Sequence, residues 1–478
     1  MLFHSLTFAV FFILVISLYV NLPHKLQNRM LLIASYIFYG AWEWKYLSLL
    51  LISTITDYFC AIKIDKEDDK LKKRKFVFLS IFVNLSLLGI FKYYDFFAEN
   101  FQNLMNVFGL ETHPYFLNVA LPVGISFYTF QTISYTVDVY RGKIKACKNY
   151  LDFSLYVAFF PQLIAGPIER GTRLLPQILN NRIVTKENII NGLYCIFWGL
   201  FLKVVIADNL ADLVDPIFIV NNPVNGILTL LATYSFAIQI YCDFSGYSMI
   251  AIGLALLMGI NLMENFRRPY FSMNISDFWR RWHISLSSWF RDYMFSPLYI
   301  YFQNSNIFKT KSIQFRHLIF FLFVLLATEF LLGLWHGAGW NYAFFGVYHA
   351  VLIGGYYLIQ KFWDKNINKY LQIIITFNLV CVGWLIFRSS SLEQFLILFN
   401  SIFTNFSLSN DLIHIYLTQF FLLTLPLVVH EIVEEKNNNR YAILYSQKYV
   451  QYAIYSIMFL IMFLFGQFGE KKFIYFQF

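Results

Sequence analysis

The sequence predicts an all-α polytopic membrane protein. Three observations carry that expectation: charge is scarce, apolar residues run along the whole length, and basic residues are confined to short loops. Of 478 residues, 58% are hydrophobic, 21% aromatic and 14% charged, whereas an ordinary soluble domain carries roughly 25% charged residues. That shortfall excludes a soluble globular enzyme. A mean hydropathy of +0.54 over the chain excludes a disordered or low-complexity one.

A spanning helix needs roughly 20 apolar residues. Stretches 2–20, 30–43, 46–62, 76–92, 118–139, 189–207, 226–242, 317–335, 341–359, 370–387, 412–430 and 449–466 qualify as about twelve crossings. The first stretch has no basic flank and no small-x-small site after it, so it reads as a membrane helix and not as a cleaved signal peptide. Residues 151–166 and 245–260 are shorter and are bounded by Pro, Gly or Asp, which suits re-entrant segments buried by other helices. Loops 63–75, 141–148, 170–186, 267–316, 361–369 and 436–448 are basic and should be cytoplasmic. Segments 93–117, 208–225 and 389–411 lack Lys and Arg and should face outward. The assignments alternate if the two short pieces do not cross and both termini lie outside, although Lys471 and Lys472 oppose that placement of the tail.

The net charge of +9 therefore reads as positive-inside topology in a lipid bilayer, with no nucleic acid partner implied. Five cysteines (Cys60, Cys147, Cys195, Cys242, Cys381) show no C-x-x-C spacing, and neither a disulfide framework nor a zinc cluster is indicated. No H-E-x-x-H, P-loop or Rossmann pattern is present, so no metal, ATP or dinucleotide site is expected. The interior loops are too short for a soluble domain, leaving a single integral-membrane domain over 1–478 whose helices must do any chemistry.

Two polar clusters could do so. In Arg267–Tyr293, helical spacing puts Trp279, Trp282, Leu286, Trp289, Phe290 and Tyr293 on one face and Arg280, Arg281, Ser288 and Arg291 elsewhere, with His283 on the border. Asn274 or Ser276 can cap this helix. An interfacial amphipathic helix with snorkelling arginines explains the Trp and Arg residues. His283 beside Ser287 fits that role or a place on the wall of a polar tunnel. The second cluster is Gly333–Tyr342, containing Trp335, His336 and Asn341. An ionisable residue at membrane depth is costly and suggests function. Glycine beside His336 would let a substrate approach the backbone, and a neutral imidazole can take a proton from a hydroxyl attacking an acyl carbonyl. The competing reading is a helix-end histidine bonded to a carbonyl. Asp243, at an expected bend, could pair with an arginine of the amphipathic helix. The apolar tail 473–478, with Tyr475 as its one hydroxyl, should dock in a groove or interface.

These residues, with Pro122–Gln131, the stretch 162–168 and the terminal Phe-Ile-Tyr-Phe-Gln-Phe, resemble the membrane-bound O-acyltransferase (MBOAT) family. The closer likeness is to its bacterial polysaccharide branch, the alginate and peptidoglycan O-acetyltransferase membrane components. The resemblance implies a funnel or tunnel through the helices, with His336 as the essential histidine and His283 as the second. It implies an acyl group arriving from a cytoplasmic thioester, acetyl-CoA or another, as substrate with no tightly bound cofactor, for O-acetylation of an extracytoplasmic polysaccharide. It further implies an extracytoplasmic tail whose Tyr475 relays the acyl group to a partner with an SGNH-hydrolase-like domain, at the bacterial cytoplasmic (inner) membrane. Trp335, Asn341, Trp282, Asp243, Arg280 and Arg281 become tunnel or support candidates. D-alanyl transfer for teichoic acid by the same fold is an alternative, and so is a proton-coupled transporter or flippase, against which the lack of inverted repeats counts.

Overall fold

The computed structural model describes residues 1–164, 166–219, 225–307, 312–362, 368–407, 412–469, 471, 473 and 474. Among these every regular element is helical. The chain divides into two compact units, residues 1–196 with 250–263, and residues 197–249 with 264–478.

The first unit holds α1 (Leu6–Tyr19), α2 (His24–Glu43), α3 (Leu47–Lys66), α4 (Lys70–Leu88), α5 (Tyr94–Val107), α6 (Ile125–Tyr140), α7 (Tyr150–Ala158), α8 (Phe160–Leu163), α9 (Gly171–Leu179) and most of α10 (Lys186–Phe201). The second holds α11 (Asp208–Ile219), residues 226–249 of α12 (Gly226–Leu257), α13 (Ile275–Arg281), α14 (Ile284–Phe290), α15 (Ser296–Asn304), α16 (Ile313–His336), α17 (Trp340–Phe362), α18 (Lys369–Arg388), α19 (Leu392–Thr404), α20 (Leu412–Asn437) and α21 (Lys448–Phe465).

Nine stretches among the described residues are long and apolar enough to cross a bilayer, where twelve were expected. Part of the difference is continuity: His24–Lys66 runs α2 into α3 through one tight turn, so two expected crossings form a single helical stretch. Residues 118–139 fall short because the helix starts only at Ile125. Gly124 before it is left-handed (φ +76°), and a Cβ there would lie 2.6 Å from the Leu163 carbonyl oxygen.

The second expected re-entrant segment is corrected. Residues 245–260 do not turn back, because α12 continues unbroken through Ser245 and Gly246 to Leu257. Gly246 serves packing, since a Cβ there would stand 2.8 Å from the Gly199 carbonyl oxygen. The other short piece is a broken pair, α7 and α8, interrupted at Phe159.

Polar residues inside the first unit satisfy one another, as a lipid-embedded bundle requires. Asp57 accepts hydrogen bonds from Ser80, from Asn84 Nδ2 (2.7 Å) and from Thr136 Oγ1 (2.8 Å). The motif residues Gln131 and Gln162 both donate to the Tyr156 carbonyl, at 2.7 and 2.8 Å. Gln131 and Gln162 thus tie α6 and α8 to the same carbonyl of α7.

In the second unit, α16 and α17 meet backbone to backbone. A Cβ on Gly346 would lie 2.0 Å from the Glu329 carbonyl oxygen, and one on Gly333 would lie 2.1 Å from that of Tyr342. Only hydrogen fits, so the glycines set how closely the helix ending at His336 packs. Gly346→Val should destabilise the protein by about 3 kcal/mol, at the upper end of overpacking costs. Thermal unfolding of purified protein in detergent, compared with Gly355→Val where nothing lies within 4 Å, checks this.

Candidate functional site

His283 and His336 come from different elements and are brought together, with ring centroids 6.5 Å apart. Both are buried, at 0% and 4% exposure.

The expected continuous amphipathic helix is corrected here. Asn274 caps α13 by accepting from the Asp277 amide (2.8 Å), as the sequence allowed. The helix then stops at Arg281, Trp282 is extended, and His283 is left-handed (φ 41°) as the N-cap of α14. A left-handed non-glycine residue is strained and persists only where its surroundings impose it. Two backbone bonds do so, Ile284 N to Asn265 O (2.9 Å) and Arg267 N to Arg281 O (2.9 Å). Asn265 is fixed in turn, donating to Ser248 Oγ (2.8 Å) and accepting from Ser285 Oγ (2.6 Å). The His283 carbonyl then accepts the amides of Leu286 and Ser287, each at 3.0 Å, starting α14.

The helical wheel nevertheless separated most of the buried from the exposed residues, with Tyr293, Arg281 and Ser288 all half-buried. Trp279, Trp282, Leu286, Trp289 and Phe290 are buried, while Arg280 and Arg291 are exposed. The aromatic face packs inside the protein, Trp282 lying against Trp384 with centroids 4.7 Å apart. His283 meets Phe244 edge to face at 4.6 Å and Trp335 at 5.8 Å. Burial pushes the His283 imidazole down to about 3, so it is neutral at physiological pH.

His336 is the last residue of α16, between Trp335 (5.2 Å), Phe387 (5.4 Å) and Phe345 (6.1 Å). At the flanking Gly337 the side-chain direction is filled, since a Cβ there would fall 2.2 Å from the Tyr342 ring. Asn341 donates to the Ser389 carbonyl at 2.8 Å. Arg281 is paired with Asp277 (3.1 Å) and Glu435 (3.7 Å). Asp243 is ion-paired, but with Lys203 (2.7 Å) and not with an arginine. Tyr475 lies outside the described residues.

Sequence reasoning missed several residues. Lys203 sits in the apolar run 189–207, and a lysine inside an expected crossing was a signal of a buried partner. His349 Nδ1 accepts from Trp279 Nε1 (3.2 Å) behind the site. Glu329 could have been found by spacing, seven residues before His336 and so on the same helix face. It lines a cavity of about 360 Å³ with Arg280, Ser287, Ser288, Arg291 and Leu332. Glu329 Oε2 is buried and has no hydrogen-bond partner among the described residues. A second cavity of about 400 Å³ is charge-compensated, with Arg267 and Arg440 both 2.7 Å from Glu264 carboxylate oxygens. Among the described residues, no group of three or more His, Cys, Asp or Glu could hold a metal.

Two buried imidazoles walled by aromatic rings form the candidate site of a helical, multi-pass membrane protein. Residues 143–393 match the profile of the membrane-bound O-acyltransferase family. The chain is 40% identical over 400 residues to the probable alginate O-acetylase AlgI of Pseudomonas syringae pv. tomato, covering 82% of this chain and 73% of that protein. It is 38% identical over 394 residues to the peptidoglycan O-acetyltransferase of Helicobacter pylori (76% and 71%). It is 34% identical over 281 residues to the teichoic acid D-alanyltransferase of Bacillus subtilis (55% and 68%). The chain belongs to the membrane-bound O-acyltransferase family, and it is an acyltransferase rather than a proton-coupled transporter.

The left-handed turn at His283 separates backbone from side-chain effects. His283→Asn, which tolerates this conformation, should leave stability nearly unchanged. His283→Val should lose about 2 kcal/mol, read from thermal unfolding in detergent.

Proposed function

We propose that this protein moves an acetyl group from a cytoplasmic thioester, acetyl-CoA in the simplest case, toward the hydroxyls of an extracytoplasmic polysaccharide of the alginate or peptidoglycan kind. The observation that carries the reading is the juxtaposition of His283 and His336, 6.5 Å apart and buried among aromatic rings. His336 takes the proton of the attacking hydroxyl, the C–S bond of the thioester breaks as the C–O bond forms, and the proton passes to the leaving thiolate. Donors such as the Trp335 indole or nearby backbone amides steady the carbonyl oxygen as it becomes an oxyanion. Neutral His283 completes the wall.

The cavity beside α14 and α16 suits the donor's path. Arg280 and Arg291 offer cations at the protein surface for phosphate, the Ser287 and Ser288 hydroxyls and Glu329 offer polar partners further along, and Leu332 leads one helical turn on to His336. Tyr475 is the proposed acyl relay, from which an SGNH-hydrolase-like partner outside the bacterial inner membrane would complete the transfer. Burial of Phe473 against Phe244, and of Ile474 beside it, supports a tail that enters the interior near the site. D-alanyl transfer is the second reading, raised by the Bacillus subtilis relative. The higher identity and coverage of the acetylating relatives favour acetyl.

His336→Ala should abolish O-acetylation, at least 100-fold, while the protein still accumulates in the membrane; mass spectrometry of surface polysaccharide and peptidoglycan against a deletion strain measures it. Tyr475→Phe removes only a hydroxyl and should abolish acetylation equally. Normal acetyl content in that strain would rule out the relay.

A further inference from the structure

The segment following α21 is held in the second unit by a set of polar contacts that the acyl-transfer chemistry does not call for. Gln467 N donates to the Val204 carbonyl (2.9 Å), and Gln467 Nε2 bridges Asn209 Oδ1 (3.0 Å) and Asp212 Oδ2 (2.9 Å). Lys471 Nζ bonds Asp212 (2.6 Å) and the Asp208 carbonyl (2.8 Å). Past Lys471 the chain leaves the surface. Phe473 is 0% exposed and packs on Phe244 (5.5 Å) and Tyr247 (4.6 Å), and Ile474 N donates to Asp243 Oδ2 at 2.6 Å.

Asp243 is a costly acceptor. It lies in α12 at 2% exposure, and its other oxygen takes Lys203 Nζ at 2.7 Å. Lys203, 1% exposed, also bonds Asp208 at 2.8 Å. A helix interior needs no such group, because its own backbone is satisfied by the i to i−4 bonds. An incoming irregular segment does need one, because each of its amides must find an acceptor when buried. A carboxylate beside an ammonium is a strong acceptor for a backbone amide.

We propose that Asp243, held by Lys203, is a positioning residue that latches the tail at Ile474, so that Phe473 packs against the aromatic wall of the histidine site. Phe244, the neighbour of Asp243, touches Phe473 with its ring and also His283 at 4.6 Å. The latch thus sets the tail one aromatic ring from His283. Its consequence for acetylation rests on the relay reading of Tyr475; the docking itself does not.

The test is hydrogen–deuterium exchange of the full-length protein in detergent, followed in peptides covering 466–474 and 313–336, beside acetylation in cells. Asp243→Leu should speed exchange of the tail peptide at least tenfold with α16 unchanged, and lower acetylation at least tenfold. Asp243→Asn keeps an acceptor and should retain most of the protection. Should Asp243→Leu fail to fold with Lys203 left only Asp208 as its partner, Ile474→Pro removes the donor and leaves every charge in place. It should speed exchange at Lys471 and Phe473 in the same way. In the double variant the two effects should not add. Tail exchange unchanged in Ile474→Pro, or equal acceleration of α16 in Asp243→Leu, would overturn the latch. If the tail loosens while acetylation persists, the latch stands and the relay reading fails.

Discussion

A buried cation in a lipid-embedded bundle has to bring its counter-charge with it, and in the second unit that requirement is met at Lys203. Its ammonium joins three pieces of chain: the π-helical turn Leu202–Ala207, the first residue of α11, and the middle of α12. Removing the ammonium would leave two buried carboxylates without their shared counter-charge. The backbone positions of residues 203, 208 and 243 are therefore mutually determined. Phe244 follows Asp243, and its ring is the wall against which His283 stands. The location of the histidine site descends from an ion pair that takes no part in its chemistry.

His336 is positioned by a different means. It ends a helix whose approach to α17 is limited by hydrogen atoms at Gly333 and Gly346, and Asn341 ties the start of α17 to the end of α18. His283 is held by backbone bonds through Asn265 in a conformation that its own residue type disfavours. One imidazole thus rests on rigid helix packing and the other on a strained turn. Strain of this kind is sustained where the surrounding structure over-determines it, and here it turns the ring inward toward Trp335 and His336.

Much of this was legible in the sequence. The scarcity of charge and the spacing of apolar runs marked a helical membrane protein, and helical periodicity separated the buried aromatic residues of 279–290 from exposed Arg280 and Arg291. The two histidines stood out because an imidazole among tryptophans in an apolar run calls for a reason. Other readings went astray for identifiable causes. Ser245 and Gly246 looked like a bend, because in one dimension a glycine that ends a helix and a glycine that admits a neighbouring helix are the same letter. Asp243 looked ready for an arginine because the nearest arginines in sequence were conspicuous, while the true partner lay forty residues earlier in an apolar run.

Periodicity, composition and motif spacing act locally, so they were sufficient for helices, burial and candidate groups. They carry no information about which distant elements touch. The break at Trp282 and His283, the pairing of Lys203 with Asp243, and the descent of Phe473 and Ile474 into the interior each depend on long-range contacts whose energy exceeds the local preference they override. Tertiary packing alone decided that two histidines more than fifty residues apart would face each other, because only the buried network around α12 makes that arrangement less costly than leaving charged and polar groups without partners in an apolar medium.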